Sequence, residues 1–326
     1  MFRFISVLIS LLFIITTAKA NDKPTLTVYS YSSFGPAKTL KADFEAQCYC
    51  VVNIISIGDG VTILNRLRLE GSRTKADVII GLDTNLTSTA KQANLVQPHH
   101  IAKPQNLAVD WWDNDFVPYD YGYFAFIYDK EKIANPPKSF EQLINNQNGW
   151  KIVYQDPRTS TPGLGLLLWM NYVYGTQTPQ AWQQLAQHTL TVTKGWGESY
   201  GLFLKGEADF VLSYSTSPVY HIINDNEHRY QAAIFDEGHY NQVEVAAITK
   251  YTKQYDLANQ FMAFLLTPKT QAVFVDKNIM YPAINIELPA AYHEINTVNQ
   301  SLSFTADDVT NNQKHWIKQW QDIVSQ

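Results

Sequence analysis

From residue 26 onward the chain alternates short apolar strands with amphipathic helices, and that alternation leaves few folds open. Residues 26–31, 51–57 and 76–81 read as strands, the last of them apolar throughout. Residues 35–46 and 61–69 read as the intervening helices, with Leu40 and Phe44 facing inward on the first. Buried strands joined through helices build a parallel sheet wrapped by helices, an α/β architecture. In such sheets a ligand lies beyond the carboxyl ends of the strands, here Tyr31-Ser32-Ser33, Gly58-Asp59-Gly60 and Leu82-Asp83.

Residues 116–128 (FVPYDYGYFAFIY) form a long β-rich stretch that reads as a strand crossing from one lobe to a second, and residues 239–248 read as the return crossing. Between them the α/β pattern repeats. Helices are expected at 138–144, 164–174, 179–188 and 199–205, and strands at 152–154 and 210–214. Helices at 257–266, 268–275 and 313–324 end the chain, with Trp316 and Trp320 on one face of the last. The expected division is residues 21–117 and 241–326 in lobe 1 and residues 118–240 in lobe 2. Two lobes joined by two crossings describe a hinged cleft.

The first twenty residues have the pattern of a cleaved secretory signal. Arg3 supplies the positive start, residues 4–15 the apolar run, and Ala18-Lys19-Ala20 the cleavage site. Removing Arg3 and Lys19 leaves 23 basic against 30 acidic residues in a mature chain from Asn21, a net charge of −7. That balance argues against a nucleic-acid partner and suits a cationic ligand. No later segment suggests membrane insertion. Cys48 and Cys50, the two cysteines, are expected to pair as a local disulfide in an oxidising compartment. Two thiols alone make no metal site.

Several residues could carry chemistry, each with a structural alternative. The turn at 154–165 (YQDPRTSTPGLG) joins a strand to an apolar helix, and its amide groups at a helix N-terminus, with Ser160 and Thr161, suit an anion. N-capping explains both hydroxyls about as well. Asp59 between two glycines is either an N-cap or a carboxylate facing a cationic ligand. Trp196, after a glycine, and Tyr214-Ser215-Thr216-Ser217 with Tyr220 could grip a flat polar ligand, although each aromatic alone suits the core. Arg158 is expected to ion-pair with Asp156 or with an acid elsewhere rather than to hold a ligand, and His221 and His239 to be satisfied structural groups. The chain has no G-x-S-x-G, H-E-x-x-H or C-x-x-C pattern, so no catalytic residue and no cofactor is expected; a secreted hydrolase is the weaker reading.

Residues 59–71, 75–86, 116–130, 154–170, 191–221 and 237–247 closely resemble the thiamine-binding proteins of bacterial ABC importers, over nearly the whole mature chain. The resemblance implies a two-lobe periplasmic binding protein fold of type II with two crossing strands at a hinge and the ligand in the interlobe cleft. It implies a monomer that binds thiamine, thiamine monophosphate and thiamine diphosphate and delivers them to an inner-membrane permease driven by an ATPase. It assigns the ligand to Asp59, Gly60, Ser160, Thr161, Trp196 and Tyr214 to Ser217 (Tyr214, Ser215, Thr216, Ser217), with Tyr220 and Tyr31 as aromatic neighbours. A ferric-ion or polyamine receptor is the alternative on the same fold. Two aromatics of the family pattern are absent here: Phe34 runs directly into Gly35-Pro36, and Ile279 precedes Met280-Tyr281-Pro282.

Overall fold

The computed structural model describes residues 23–325, so the expected signal sequence and its cleavage site lie outside the described residues. The first part of the chain runs β1 (Thr25–Ser30), α1 (Ala37–Cys48), β2 (Val51–Ser56), α2 (Gly60–Glu70), β3 (Val78–Asp83), α3 (Thr87–Gln92), β4 (Val96–Gln97) and the long strand β5 (Phe116–Asp129). Then come α4 (Phe140–Ile144), β6 (Ile152–Gln155), α5 (Thr161–Tyr174), α6 (Thr178–His188), β7 (Thr189–Thr193), α7 (Trp196–Leu204), β8 (Phe210–Tyr214), α8 (Ser217–Asp225), β9 (Tyr230–Ala233) and the second long strand, β10 (His239–Thr249). The chain closes with α9 (Tyr255–Leu265), α10 (Pro268–Val273), a π turn (Phe274–Asn278), β11 (Tyr281–Pro282), β12 (Ser301–Leu302) and α11 (Ala306–Val324).

The strands lie in the order β2-β1-β3-β10-β5-β8-β6-β7. β1 is parallel to β2 and β3, and β6 is parallel to β7 and β8, which makes two parallel half-sheets. The antiparallel strands β5 and β10 join them. β5 pairs with β10 from Phe116 to Tyr123, then with β8 from Phe124 to Ile127 and with β9 as far as Asp129. One strand therefore serves both lobes and changes partners between Tyr123 and Phe124. β3 is buried on both faces: Val78 and Ile80 pack with Leu40 and Phe44 of α1, while Ile79 and Leu82 pack with Leu64 and Leu67 of α2.

Two bulges shape the crossing. Glu244 opposes Asp120 but Val245 opposes Pro118, so Tyr119 is the extra residue beside a proline that has no N–H to give the ladder. On the other edge of β10 the pairing passes from Leu82 to Ile80, skipping Gly81, whose φ is +106°. A Cβ at Gly81 would stand 2.2 Å from the Tyr31 ring, so glycine there lets Tyr31 lie against the sheet.

Most expected elements are present, with shifted starts. Helix α5 begins at Thr161 rather than 164, and its early glycines allow close packing: a Cβ at Gly163 would lie 2.3 Å from the Gln155 carbonyl oxygen, and one at Gly165 would lie 1.9 Å from the Phe124 ring. Helix α7 begins at Trp196 rather than 199. Helix α8 was not expected, although Ser217-Pro218 is a good helix start. Helix α11 begins at Ala306 rather than 313; the Thr305 side chain caps the Asp308 amide, and Trp320 Nε1–H donates to the Tyr154 hydroxyl. Cys48 and Cys50 are bonded to each other at the end of α1, with Tyr49 between them in the left-handed region.

His239 ties the hinge. Its Nε2 accepts the Phe235 amide and its Nδ1–H donates to the Phe124 carbonyl at 2.7 Å, where β5 changes partners. The bond accepted at Nε2 needs the neutral ring, and burial pushes its pKa down to about 4 against the pull of the Phe124 carbonyl. An unfolded histidine titrates near 6.5, so the unfolded chain takes up the proton first and stability falls as pH drops below that value. The loss is expected to reach about 2 kcal/mol at pH 5; urea unfolding of the wild type should show this slope and His239→Gln a flatter one. Gly165→Ala is expected to cost about 1–3 kcal/mol through overpacking against Phe124, while Gly201→Ala, in open space, should not lower the melting temperature.

Candidate functional site

A cavity of about 400 Å³ lies between the two half-sheets, at the carboxyl ends of the parallel strands. Its lobe 2 wall begins on α7, where Trp196, Tyr200 and Leu204 recur every four residues and present one face. Trp196 and Tyr200 stack at 4.8 Å with planes 23° apart, and Tyr200 stacks on His221 of α8 at 6.0 Å. Polar bonds hold these rings from behind. The Trp196 Nε1–H donates to Ser213 Oγ at 2.8 Å, which is 2.7 Å from Ser217 Oγ, and that oxygen also accepts the Tyr214 amide. The Tyr200 hydroxyl is 3.0 Å from His221 Nε2, while His221 Nδ1 faces Asp225. Burial lowers the His221 pKa against the pull of Asp225, and burial raises that of Tyr200.

Asp59 stands at the N-cap position of α2, yet its side chain makes no cap bond there. Its carboxylate instead reaches into the other lobe. One oxygen accepts from Ser160 Oγ at 2.6 Å and from the Trp196 amide at 3.1 Å, at the N-termini of α5 and α7. Ser160, for its part, leaves its own helix without a side-chain cap. Two residues read as caps have exchanged that role for a bond across the cleft. Burial raises the Asp59 pKa, and the two hydrogen bonds oppose the rise. Thr62 Oγ1–H donates to the Thr159 carbonyl at 2.9 Å beside them. Gly60 packs tightly against both lobes: a Cβ there would meet the Gly81 carbonyl oxygen of its own lobe at 2.0 Å and Thr161 Cγ2 across the cleft at 2.6 Å.

The floor is acidic. Glu244 lines the cavity from β10, directly opposite Asp120 of β5. Asn278 Nδ2 donates to Asp120 Oδ2 at 2.6 Å and lies 3.3 Å from Glu244 Oε2. The Tyr31 hydroxyl lies 2.8 Å from Asn278 Oδ1 and 3.3 Å from the same Glu244 oxygen. Gln242 Nε2 donates to Glu244 Oε1, and the Tyr214 hydroxyl donates to Gln242 Oε1. Ile279 follows Asn278 with φ +57°, a left-handed conformation that a β-branched residue adopts only under tertiary constraint. That turn sets Asn278, Ile279 and Met280 against the cavity.

Of the residues expected at a site, Tyr31, Asp59, Thr161, Trp196, Tyr214, Ser217 and Tyr220 line the cavity, with Tyr220 half exposed at its rim. Ser160 is fully buried beside it, holding Asp59. Gly60, Ser215 and Thr216 stand behind the wall; Thr216 Oγ1 faces Met280 Sδ. Reasoning from sequence missed Tyr200, Leu204 and Glu244, and took His221 as isolated. The four-residue spacing from Trp196 would have found the first two. Arg158 pairs with Asp156 as expected, at 2.5 Å.

A hinged pair of α/β lobes closing on a small, aromatic-walled cavity defines a receptor for a small solute. The chain belongs to the bacterial extracellular solute-binding protein family, whose pattern matches residues 73–307. It is 50% identical to the thiamine-binding periplasmic protein of Escherichia coli strain K12 over 319 residues, 96% of this chain and 98% of that one. It is also similar to a solved periplasmic thiamin binding protein, with a TM-score of 0.91 and 50% identity over 93% of this chain and 97% of that one. The apo ferric ion-binding protein A of Pasteurella haemolytica shares the fold at a TM-score of 0.76 but only 18% identity, covering 92% of this chain and 97% of that one.

Asp59→Ala removes both hydrogen bonds that its carboxylate makes across the cleft, a loss of about 1.5–3 kcal/mol each for bonds to a charged group. The variant is expected to populate open forms, read as a larger radius of gyration in small-angle scattering. Ser160→Ala should fall between it and the wild type.

Proposed function

We propose that the protein is the periplasmic receptor of an ABC importer, enclosing thiamine, thiamine monophosphate or thiamine diphosphate and delivering it to an inner-membrane permease with its ATPase. In this reading the chain is secreted through its signal sequence, acts as a monomer without a cofactor and catalyses no reaction. The lobes divide as residues 21–117 with 241–326 and residues 118–240. The observation that carries the reading is the stacked pair Trp196 and Tyr200 on one side of a cavity whose floor holds Glu244. Flat cationic rings fit such a wall, since a desolvated cation–π contact contributes about 2 kcal/mol. Similarity to thiamine-binding proteins at 50% identity over nearly the full length supports the same ligand.

Within the cavity we assign the rings to Trp196, Tyr200, Tyr31, Tyr214 and Tyr220. The hydroxyethyl or phosphate tail is assigned to Thr161 at the N-terminus of α5, where amide groups and the helix dipole favour an anion. Asp59, Ser160, Gly60, Ser215, Thr216 and Ser217 support these groups through the interlobe bonds and the wall behind the rings.

Calorimetric titration of the mature protein with each of the three forms tests the reading. Saturable binding is expected, with about 2.7 kcal/mol of added stability at a ligand concentration one hundred times Kd. Thr161→Ala is expected to weaken the phosphorylated forms by about 1 kcal/mol more than free thiamine. Absence of heat and of thermal stabilisation with all three would overturn the assignment.

A further inference from the structure

We infer that the Asp120–Glu244 pair is the element of this cavity that recognises positive charge in the ligand, exchanging a shared proton for the cation. The inference rests on the reading of the ligand as a cationic ring compound. Its basis is the geometry of the floor. Asp120 and Glu244 oppose each other across β5 and β10 at the bulge, both buried, and Glu244 faces the cavity. Asp120 Oδ1 is buried and has no hydrogen-bond partner. Among the described residues no Lys, Arg or His pairs with either carboxyl group.

The groups facing the pair from each neighbouring element leave it without a counter-ion. β1 ends in Tyr31, β5 adds Tyr119, and β8 adds Tyr214. β3 contributes Asp83, a third acid, whose pKa burial pushes up to about 7. The π turn contributes Asn278 and Lys277, the latter a half-exposed residue of the cavity lining whose ammonium is ion-paired with Asp276 rather than with either floor carboxyl, and Tyr292 stands beyond Asp120. Two buried carboxyl groups this close, without a cation, share a proton rather than both ionise. Burial and the neighbouring Glu244 hold Asp120 well above the usual carboxylate range, and burial raises Glu244 as well. A quaternary ring nitrogen beside Glu244 supplies the missing charge. The carboxyl O–H then releases its proton to solvent, both groups stay ionised, and the net charge balances.

The sign of the pH effect follows. A proton leaves on binding, so affinity for the cation rises with pH, up to about tenfold per pH unit while the free pair is protonated and the bound pair is not. A neutral thiophene isostere of thiamine has the same shape and aminopyrimidine but no ring charge, so its affinity should not follow this slope.

The test is calorimetry of the mature protein with thiamine and with the neutral isostere, in buffers of different ionisation enthalpy, between pH 6.5 and 8.5. Release of close to one proton with thiamine and none with the isostere is expected. Asp120→Asn, a neutral mimic of the protonated acid, is expected to abolish the release and to weaken thiamine about tenfold or more at the upper pH. An unchanged far-ultraviolet spectrum and a cooperative melt report that the variant folds, and the loss of affinity should be larger for thiamine than for the isostere; Glu244→Gln should show the same difference. Thiamine binding with no buffer dependence, or with equal pH slopes for the two ligands, would overturn the inference and leave the thiamine reading standing. Failure of both ligands to bind would overturn that reading and the inference together.

Discussion

The pairing of β5 with β10 is the constraint on which the rest of the structure depends. Each strand is long enough to belong to both lobes, and their mutual ladder is the joint. Because they are antiparallel to each other and bulged, side chains that simple alternation would send to one face are re-aimed along the crossing. Pro118 forces the bulge on β5 and Gly81 permits the complementary one on β3. Beside these bulges the register sets Glu244 opposite Asp120, and Tyr31 reaches Glu244 and Asn278 beneath the cavity. The hinge and the acidic floor are therefore one piece of architecture, so a change in charge at the floor acts on the strands that let the lobes move.

Asp59 illustrates how a local preference yields to a contact between lobes. A carboxylate or hydroxyl at an N-cap contributes about 1 kcal/mol to its own helix. Asp59 and Ser160 both occupy cap positions and both forgo that contribution. The bond they make instead satisfies a carboxylate with a hydroxyl and with the first amide of α7, whose N-terminus is electropositive. Such an exchange makes sense where the two helices belong to bodies that must come together. It also means that the donors facing the cleft already have one internal anion, with which any anionic group entering the cleft must coexist.

Much of this was legible from the order of residues, for physical reasons that differ by element. Strands β1, β2, β3, β6 and β8 are short apolar runs bounded by polar turns, and their positions read correctly to within a residue or two. The starts of α5 and α7 did not, because Pro162, Gly163, Gly165 and Gly197 look like turn residues when only local propensity is weighed. Gly163 and Gly165 are there so that α5 can lie against Gln155 and Phe124, a reason visible only in three dimensions. Asp59 and Thr161 were identifiable because each stands at a strand-to-helix turn, and Trp196 because it is an aromatic directly after a glycine turn. Asp120 and Glu244 were not, since in FVPYDYGYF and NQVEVAA they read as the polar partners in an alternating crossing strand. Only the pairing register, which sets Glu244 directly opposite Asp120, brings them to the same buried place.

At the two positions where the family resemblance implies further aromatics, this cavity carries other residues and a different balance of forces. At 279 an isoleucine in the left-handed region lines the wall, contributing apolar surface but no ring quadrupole. Phe34, running straight into Gly35, packs at 5.1 Å edge-on to Tyr31 instead of leading to another cleft aromatic. With fewer ring faces at the rim, attraction for a cation falls more heavily on the charges below, because a cation–π contact at an exposed rim contributes about 0.5–1 kcal/mol while a buried carboxylate interacts at low effective dielectric. If the floor carboxyls recognise the ligand's charge as inferred, selectivity for charge rests not at the mouth of the cleft but at its hinge. There it is felt by the two strands that carry closure.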